Sequence, residues 1–239
     1  MKKFGFTLAE ILITLGVVGV VAALTLPTFI MSTKDKANVA KLSKTVSEFE
    51  TAVSNMLHEE EMMNIASLST GQDLFKTLTK YYKVSLADNY KDFIPDSDYK
   101  ITYLTGNKTN FYSDTTLLTK SGAIINLYGG MWQTGITQEQ AAENGCSLYD
   151  VEDGFYDVLI DVNGKEKPNK MSRDIFAFVF GPDGRLYPYG GRDVSFFLHG
   201  DLKNTWRDEG GEYPCTNTAK GRGEGCTARL IEDGFEIKY

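Results

Sequence analysis

From Ile11 to Ile30 the chain runs for twenty residues without a charged side chain, and Leu, Ile, Val and Ala dominate. As a helix rising 1.5 Å per residue this covers roughly 30 Å, the thickness of a bilayer's hydrocarbon core. One acid, Glu10, stands at the start of the run. A carboxylate in a membrane-length apolar helix is costly unless it is paired, so Glu10 calls for a partner. A cleavable secretory signal would have a basic start, a shorter apolar stretch and a small-residue cleavage site, for which Val21-Ala22-Ala23 could loosely serve. The five-residue leader ending in Gly5 and the acid at position 10 speak against that reading. If the chain is cut after Gly5, Phe6 becomes a free ammonium at the membrane entry, and Glu10 of an adjacent copy can neutralise it. A single copy reaches its own amine poorly, because the two groups lie one helical turn apart in a strained geometry.

Lys2, Lys3, Gly5, Phe6, Thr7, Leu8 and Glu10 form a short basic leader, a glycine, an aromatic residue and Thr-Leu-x-Glu. In this the chain resembles the type IV pilin and type II secretion pseudopilin superfamily, and the likeness extends to Gly16, Gly19 and Pro27. The resemblance covers about 30 residues and rests on a specific motif. It implies cleavage between Gly5 and Phe6 by a prepilin peptidase and N-methylation of Phe6. It also implies a single-pass anchor in a bacterial inner membrane, with the globular domain outside the cytoplasm, surrounded by lipid until assembly. The implied partners are other pilin or pseudopilin subunits and an inner-membrane assembly platform served by an ATP-driven motor. Glu10 would align each incoming copy with its predecessor. Its presence argues against the specialised tip subunit of secretion pseudopili, and the chain's length favours a minor subunit. A count of Lys34, Lys36, Lys41 and Lys44 against Lys2 and Lys3 would put the C-terminal side in the cytoplasm. The processing motif requires the opposite orientation and takes precedence.

Beyond the apolar run, Val39, Leu42, Val46, Phe49, Val53 and Met56 recur at spacings of three and four, which places them on one helical stripe. Lys41, Lys44, Ser47, Glu48 and Glu50 form the expected solvated face. One helix from Phe6 to about Leu57 is predicted, roughly 78 Å long. Pro27 should kink it near the membrane surface. The stripe is expected to dock on the chain's own sheet rather than form a short coiled coil with another chain. A second helix is predicted over 70–82, with Thr70 as its N-cap. Strands are predicted over 100–105, 115–119, 123–128, 156–162, 174–180 and 185–188, with turns at Lys120-Ser121-Gly122 and Pro182-Asp183-Gly184. A helical or irregular insertion is expected over 131–153, and a polar tail from Ser195 onward wrapping the sheet. Short turns pair strands antiparallel, so the fold class is α+β: a long N-terminal helix packed on an antiparallel sheet, as in pilins. The chain divides into a leader (1–5), a membrane and filament-core helix (6–30), an amphipathic helix (31–58) and a globular domain (59–239).

The formal charge of −7 disfavours general electrostatic binding of nucleic acid. The three cysteines are Cys146, Cys215 and Cys226. In an oxidising compartment Cys215 and Cys226 are the expected disulfide, although either pairing with Cys146 is open. Pilins often have a similarly closed C-terminal region.

Asp161, Asn163, Asn169 and Asp174 flank a loop between two predicted strands, whose pairing would gather two carboxylates and two amide oxygens. These are ligands for calcium; some major pseudopilins bind calcium in a loop near the sheet edge, which the later run from Asp174 to Gly184 resembles, and the plainer reading of Asp161–Asp174 is a solvated Asn163-Gly164 turn. No other cofactor is indicated. Gly221-Arg222-Gly223-Glu224-Gly225 lacks the Lys-Ser/Thr ending and the strand-to-helix context of a phosphate loop. His58 and His199 have no nucleophile context, so no enzyme is expected. The function expected is that of a structural subunit of a type IV pilus or a type II secretion pseudopilus. The alternatives are a membrane-anchored binding module or adhesin and, more remotely, a tethered hydrolase.

Overall fold

The computed structural model describes residues 7–62, 65, 71–82, 84–86, 99–110, 115–132, 139, 143, 155–181, 183–199, 203–207, 213–216 and 222–239. A single helix, α1 (Leu8–Glu59), runs unbroken through Pro27 for 52 residues, about 78 Å at the standard rise. Its first half is exposed among the described residues: the side chains of Leu8, Leu12, Val18, Leu24 and Phe29 all are. Four threonines would be misfits in so apolar a stretch. Thr14, Thr25, Thr28 and Thr33 each turn the hydroxyl back onto a carbonyl of the preceding turn, at 2.8–3.0 Å.

The second half of α1 docks on its own domain, as its periodicity predicts. Val39, Leu42, Thr45, Phe49, Ala52, Val53 and Met56 are buried. The stripe is therefore broader than expected, with Val46 only partly covered and Thr45 and Ala52 inside. Glu50 is a correction. It lies half-buried rather than on the solvated face, because its Oε1 accepts the backbone N–H of Leu186 at 3.0 Å. Helix α2 (Gly71–Tyr81) packs beside α1, while the expected cap Thr70 lies outside the described residues.

A six-stranded antiparallel sheet follows the order β1-β4-β5-β6-β7-β8. Its strands are β1 (Val84–Leu86), β4 (Thr116–Thr119), β5 (Ile124–Trp132), β6 (Phe155–Asp161), β7 (Ile175–Phe180) and β8 (Leu186–Pro188). A separate hairpin pairs β2 (Lys100–Thr102) with β3 (Lys108–Asn110). All the predicted strands are present. The third is longer than expected and takes in Met131 and Trp132 at the start of the supposed insertion; residues 133–154 lie almost wholly outside the described ones.

Both faces of the sheet are covered. Tyr156, Val158 and Ile160 of β6 and Phe176, Phe178 and Phe180 of β7 face the core formed with α1 and α2. There Phe49 meets the rings of Tyr82 and Phe180 edge-on. The alternate residues Phe155, Leu159, Ile175, Ala177 and Val179 face a second core with β2, Met171 and helix α3 (Arg192–His199). Period-two alternation with apolar residues at both phases explains why β6 and β7 read as nearly continuous apolar runs.

The C-terminal region reaches both cores, Tyr213 packing against the second and Leu230 and Ile237 joining the first. Cys215 and Cys226 form the expected disulfide, 4.6 Å between Cα atoms, at the start of helix α4 (Cys226–Glu232). Thr227 of α4 accepts the Ala177 N–H of β7 through its hydroxyl. Cys146 lies outside the described residues. Where α1 first meets the domain, Arg173 ties three segments together. Its guanidinium donates to Asp35 at 2.7 Å and to the backbone oxygen of Tyr239 at 2.6 Å, and its own carbonyl accepts from the Asn38 amide.

Candidate functional site

Two separate places carry the functional residues read from the sequence: the start of α1, and a loop beside the part of α1 around Asn38. Gly5 and Phe6 fall outside the described residues, so the processing junction itself is not seen. Thr7 and Glu10 are described. Thr7 is the N-cap of α1 in extended backbone, and together they form a capping box. The Thr7 N–H and hydroxyl both donate to Glu10 Oε2 at 2.8 Å, and the Glu10 N–H donates to the Thr7 hydroxyl at 3.2 Å. A single copy thus gives Glu10 partners within its own chain, which the expectation of a neighbour as sole partner did not foresee. Thr at N-cap with Glu three residues later was the available signal. Both bonds use Oε2, and Oε1 has no hydrogen-bond partner among the described residues.

The second place is the loop between β6 and β7. Antiparallel register sets Asp161 opposite Ile175, so the loop's ends meet, and Asp161 and Asp174 are both fully buried. Asn163 touches both: its N–H donates to Asp161 Oδ1 at 3.0 Å and its amide to Asp174 Oδ2 at 3.1 Å. Asp161 also accepts the Gly164 N–H on Oδ1 and the Tyr99 hydroxyl on Oδ2. Asp174 accepts the N–H groups of Asn169 and Lys170.

The backbone is shaped to fit. Gly164 has φ +67°, and a Cβ there would stand 2.3 Å from the Gly122 carbonyl in the neighbouring hairpin turn. Asn169 and Ser172 adopt left-handed backbone at φ +50° and +67°. Burial, reinforced by the nearby Asp174 charge, pushes the Asp161 carboxyl well above its usual range, and burial raises Asp174 as well.

The loop therefore brings together all four residues expected to hold calcium. The side-chain oxygens of Asn163 and Asn169 are buried without a hydrogen-bond partner, a state that costs about 1–3 kcal/mol each. Two orphaned amide oxygens and two carboxylates in one loop are the hard-oxygen donors calcium takes, and an ion there would replace hydrogen bonds that all four carboxylate oxygens now accept. The residues fit such an ion: Asp161 and Asp174 would supply the charge and the two amides neutral oxygens. Among the described residues no group of three His, Cys, Asp or Glu side chains is placed to hold a metal.

Of the other residues considered, His58 is exposed in the last turn of α1, and Glu224 of the glycine-rich segment is buried against Arg222 at 3.4 Å. Comparison with protein-family models, curated proteins and solved structures gave no match.

Proposed function

We propose that this chain is a filament subunit of the pilin and pseudopilin type, fitted to a type IV pilus or a type II secretion pseudopilus, with a minor subunit favoured by its length. Prepilin peptidase cuts between Gly5 and Phe6, the mature chain is held in the inner membrane by the first half of α1, and the domain lies outside the cytoplasm. The observation that carries this reading is the division of labour along one unbroken helix. From Leu8 to Met31 it is apolar and exposed, and from Val39 it is the spine of a disulfide-closed α+β domain. The first half is long and apolar enough to cross a bilayer. Exposed leucines and valines on this scale need lipid or the same surface of other copies to cover them.

The capping box supplies a mechanism. In lipid before assembly, Thr7 satisfies Glu10 through Oε2. In the filament, Oε1 receives the Phe6 ammonium of the neighbouring subunit, so the helix keeps its cap while the charges pair. Assembly thus gains an ion pair in a medium of low dielectric without undoing an existing bond. The test is Glu10→Val. It should leave α1 in the membrane and the domain folded but remove the protein from sheared or purified filaments. Normal incorporation would refute the role, and a mature N-terminus other than Phe6 by mass spectrometry would refute the processing.

A further inference from the structure

Among the described residues, the large aliphatic and phenyl side chains that remain exposed belong to the apolar run up to Met31, with two exceptions, Ile231 and Phe235. These two lie together at the C-terminal end of α4. The helix stops in a paired-turn cap: the Gly234 N–H donates to the Ile231 carbonyl at 3.1 Å, and the Phe235 N–H to the Leu230 carbonyl at 2.8 Å. In that cap Phe235 is held at φ +64°, a left-handed backbone that a bulky residue adopts only under constraint. The apolar residue at this position usually folds back on the helix. Here 45% of Phe235 stays exposed while Leu230 is fully buried.

Phe235 forms one wall of a groove of 470 Å³ whose other wall is Thr28, Met31 and Ser32 of α1. Those residues are the final turns of the uncharged run, so the phenyl ring sits at the depth where the hydrocarbon ends. Aromatic side chains concentrate at that level of a bilayer. The charges at this end are arranged to match. Asp35, Asp233 and Glu236 lie against Arg173, Arg229 and Lys238 of the same domain, at 2.7, 3.5 and 3.4 Å. Lys36, exposed in the wall of the groove, has no acid against it among the described residues.

We infer that this groove seats a phospholipid of the leaflet facing the domain, with Phe235 entering the top of the acyl region and Lys36 meeting the headgroup phosphate. The domain is then a second, shallow point of membrane attachment beside α1, which fixes its rotation about the helix axis before extraction. The inference rests on α1 spanning a membrane, and the experiment separates the two claims.

The full chain is reconstituted in vesicles of phosphatidylethanolamine and phosphatidylglycerol with p-benzoylphenylalanine in place of Val18, His58 or Phe235. Illumination should give lipid adducts at positions 18 and 235 and none at 58, which lies at the far end of α1. Adducts at 18 without adducts at 235 overturn the groove and leave the membrane span standing. Loss at both positions overturns both. An adduct from 235 to a second copy, in place of lipid, makes the groove a subunit contact and overturns the inference.

Discussion

The two buried acids of the β6–β7 loop are not equivalent, and the difference can be measured. Both Asp174 oxygens accept from N–H donors: those of Asn169 and Lys170 on the backbone and the Asn163 side-chain amide. Asp174→Asn must turn an NH₂ group toward one of them, so at least one buried donor loses its acceptor. At about 1–3 kcal/mol for each group left unpaired, two groups facing one another cost about 3 kcal/mol. For a domain of this size that lowers the melting temperature by roughly 6–12 °C. Asp161 faces N–H groups only on Oδ1, while Oδ2 meets the Tyr99 hydroxyl, which can rotate to accept instead of donate. Asp161→Asn also removes one of two crowded negative charges, so its cost is under about 1 kcal/mol, within roughly 3 °C. The assay is thermal unfolding of the full chain in detergent at neutral pH, followed by near-ultraviolet circular dichroism, with a calcium chelator present. If Asp161→Asn melts as low as Asp174→Asn, the asymmetry of donors is not what holds this loop.

The same melts repeated with calcium should show a rise in wild type and none in either Asn variant; an unchanged wild-type melting temperature refutes the cation. In chelator, the raised Asp161 carboxyl makes the folded chain hold a proton that the unfolded chain has released, in the window from the ordinary value of 3.8 up to the raised one. Wild-type stability from this group therefore falls as pH rises through that window, and Asp161→Asn should gain relative to wild type; a difference that does not change with pH would contradict the assignment. Phe49→Ala removes a fully buried ring packed on Tyr82 and Phe180 and should cost about 3–5 kcal/mol by the same assay while membrane insertion is retained. A loss below about 1 kcal/mol would mean that the helix does not key the domain together at this point.

Elements with a single strong local signal were legible in the sequence. The apolar run, the Val39-to-Met56 stripe and the strands β4 to β8 follow from periodicity, and the turns at Gly122 and Gly184 from positive φ, +87° and +81°. The strand pairing also foretold that Asp161 and Asp174 would meet. Less legible was what depends on contacts made from afar. Glu50 looked like a surface acid because its partner, the Leu186 N–H, is 136 residues away. Helices α3 and α4 were hidden in a glycine-rich, polar tail, since burial, not propensity, keeps them helical: Val194 and Phe196 of α3 in the second core and Leu230 of α4 in the first. The strand β3 and the hairpin it makes with β2 were missed because Lys108–Asn110 is polar throughout.

If the chain is a filament subunit, the position of the Arg173 clamp bears on how it would withstand being drawn out of the membrane. Traction applied along α1 first reaches the domain at Asp35 and Asn38, where one guanidinium joins the rod to the end of the chain. Load introduced there would pass to the loop after β6 and to the C-terminal strap together, because Arg173 bonds both. Severing that node should leave a subunit that folds at rest and fails under tension.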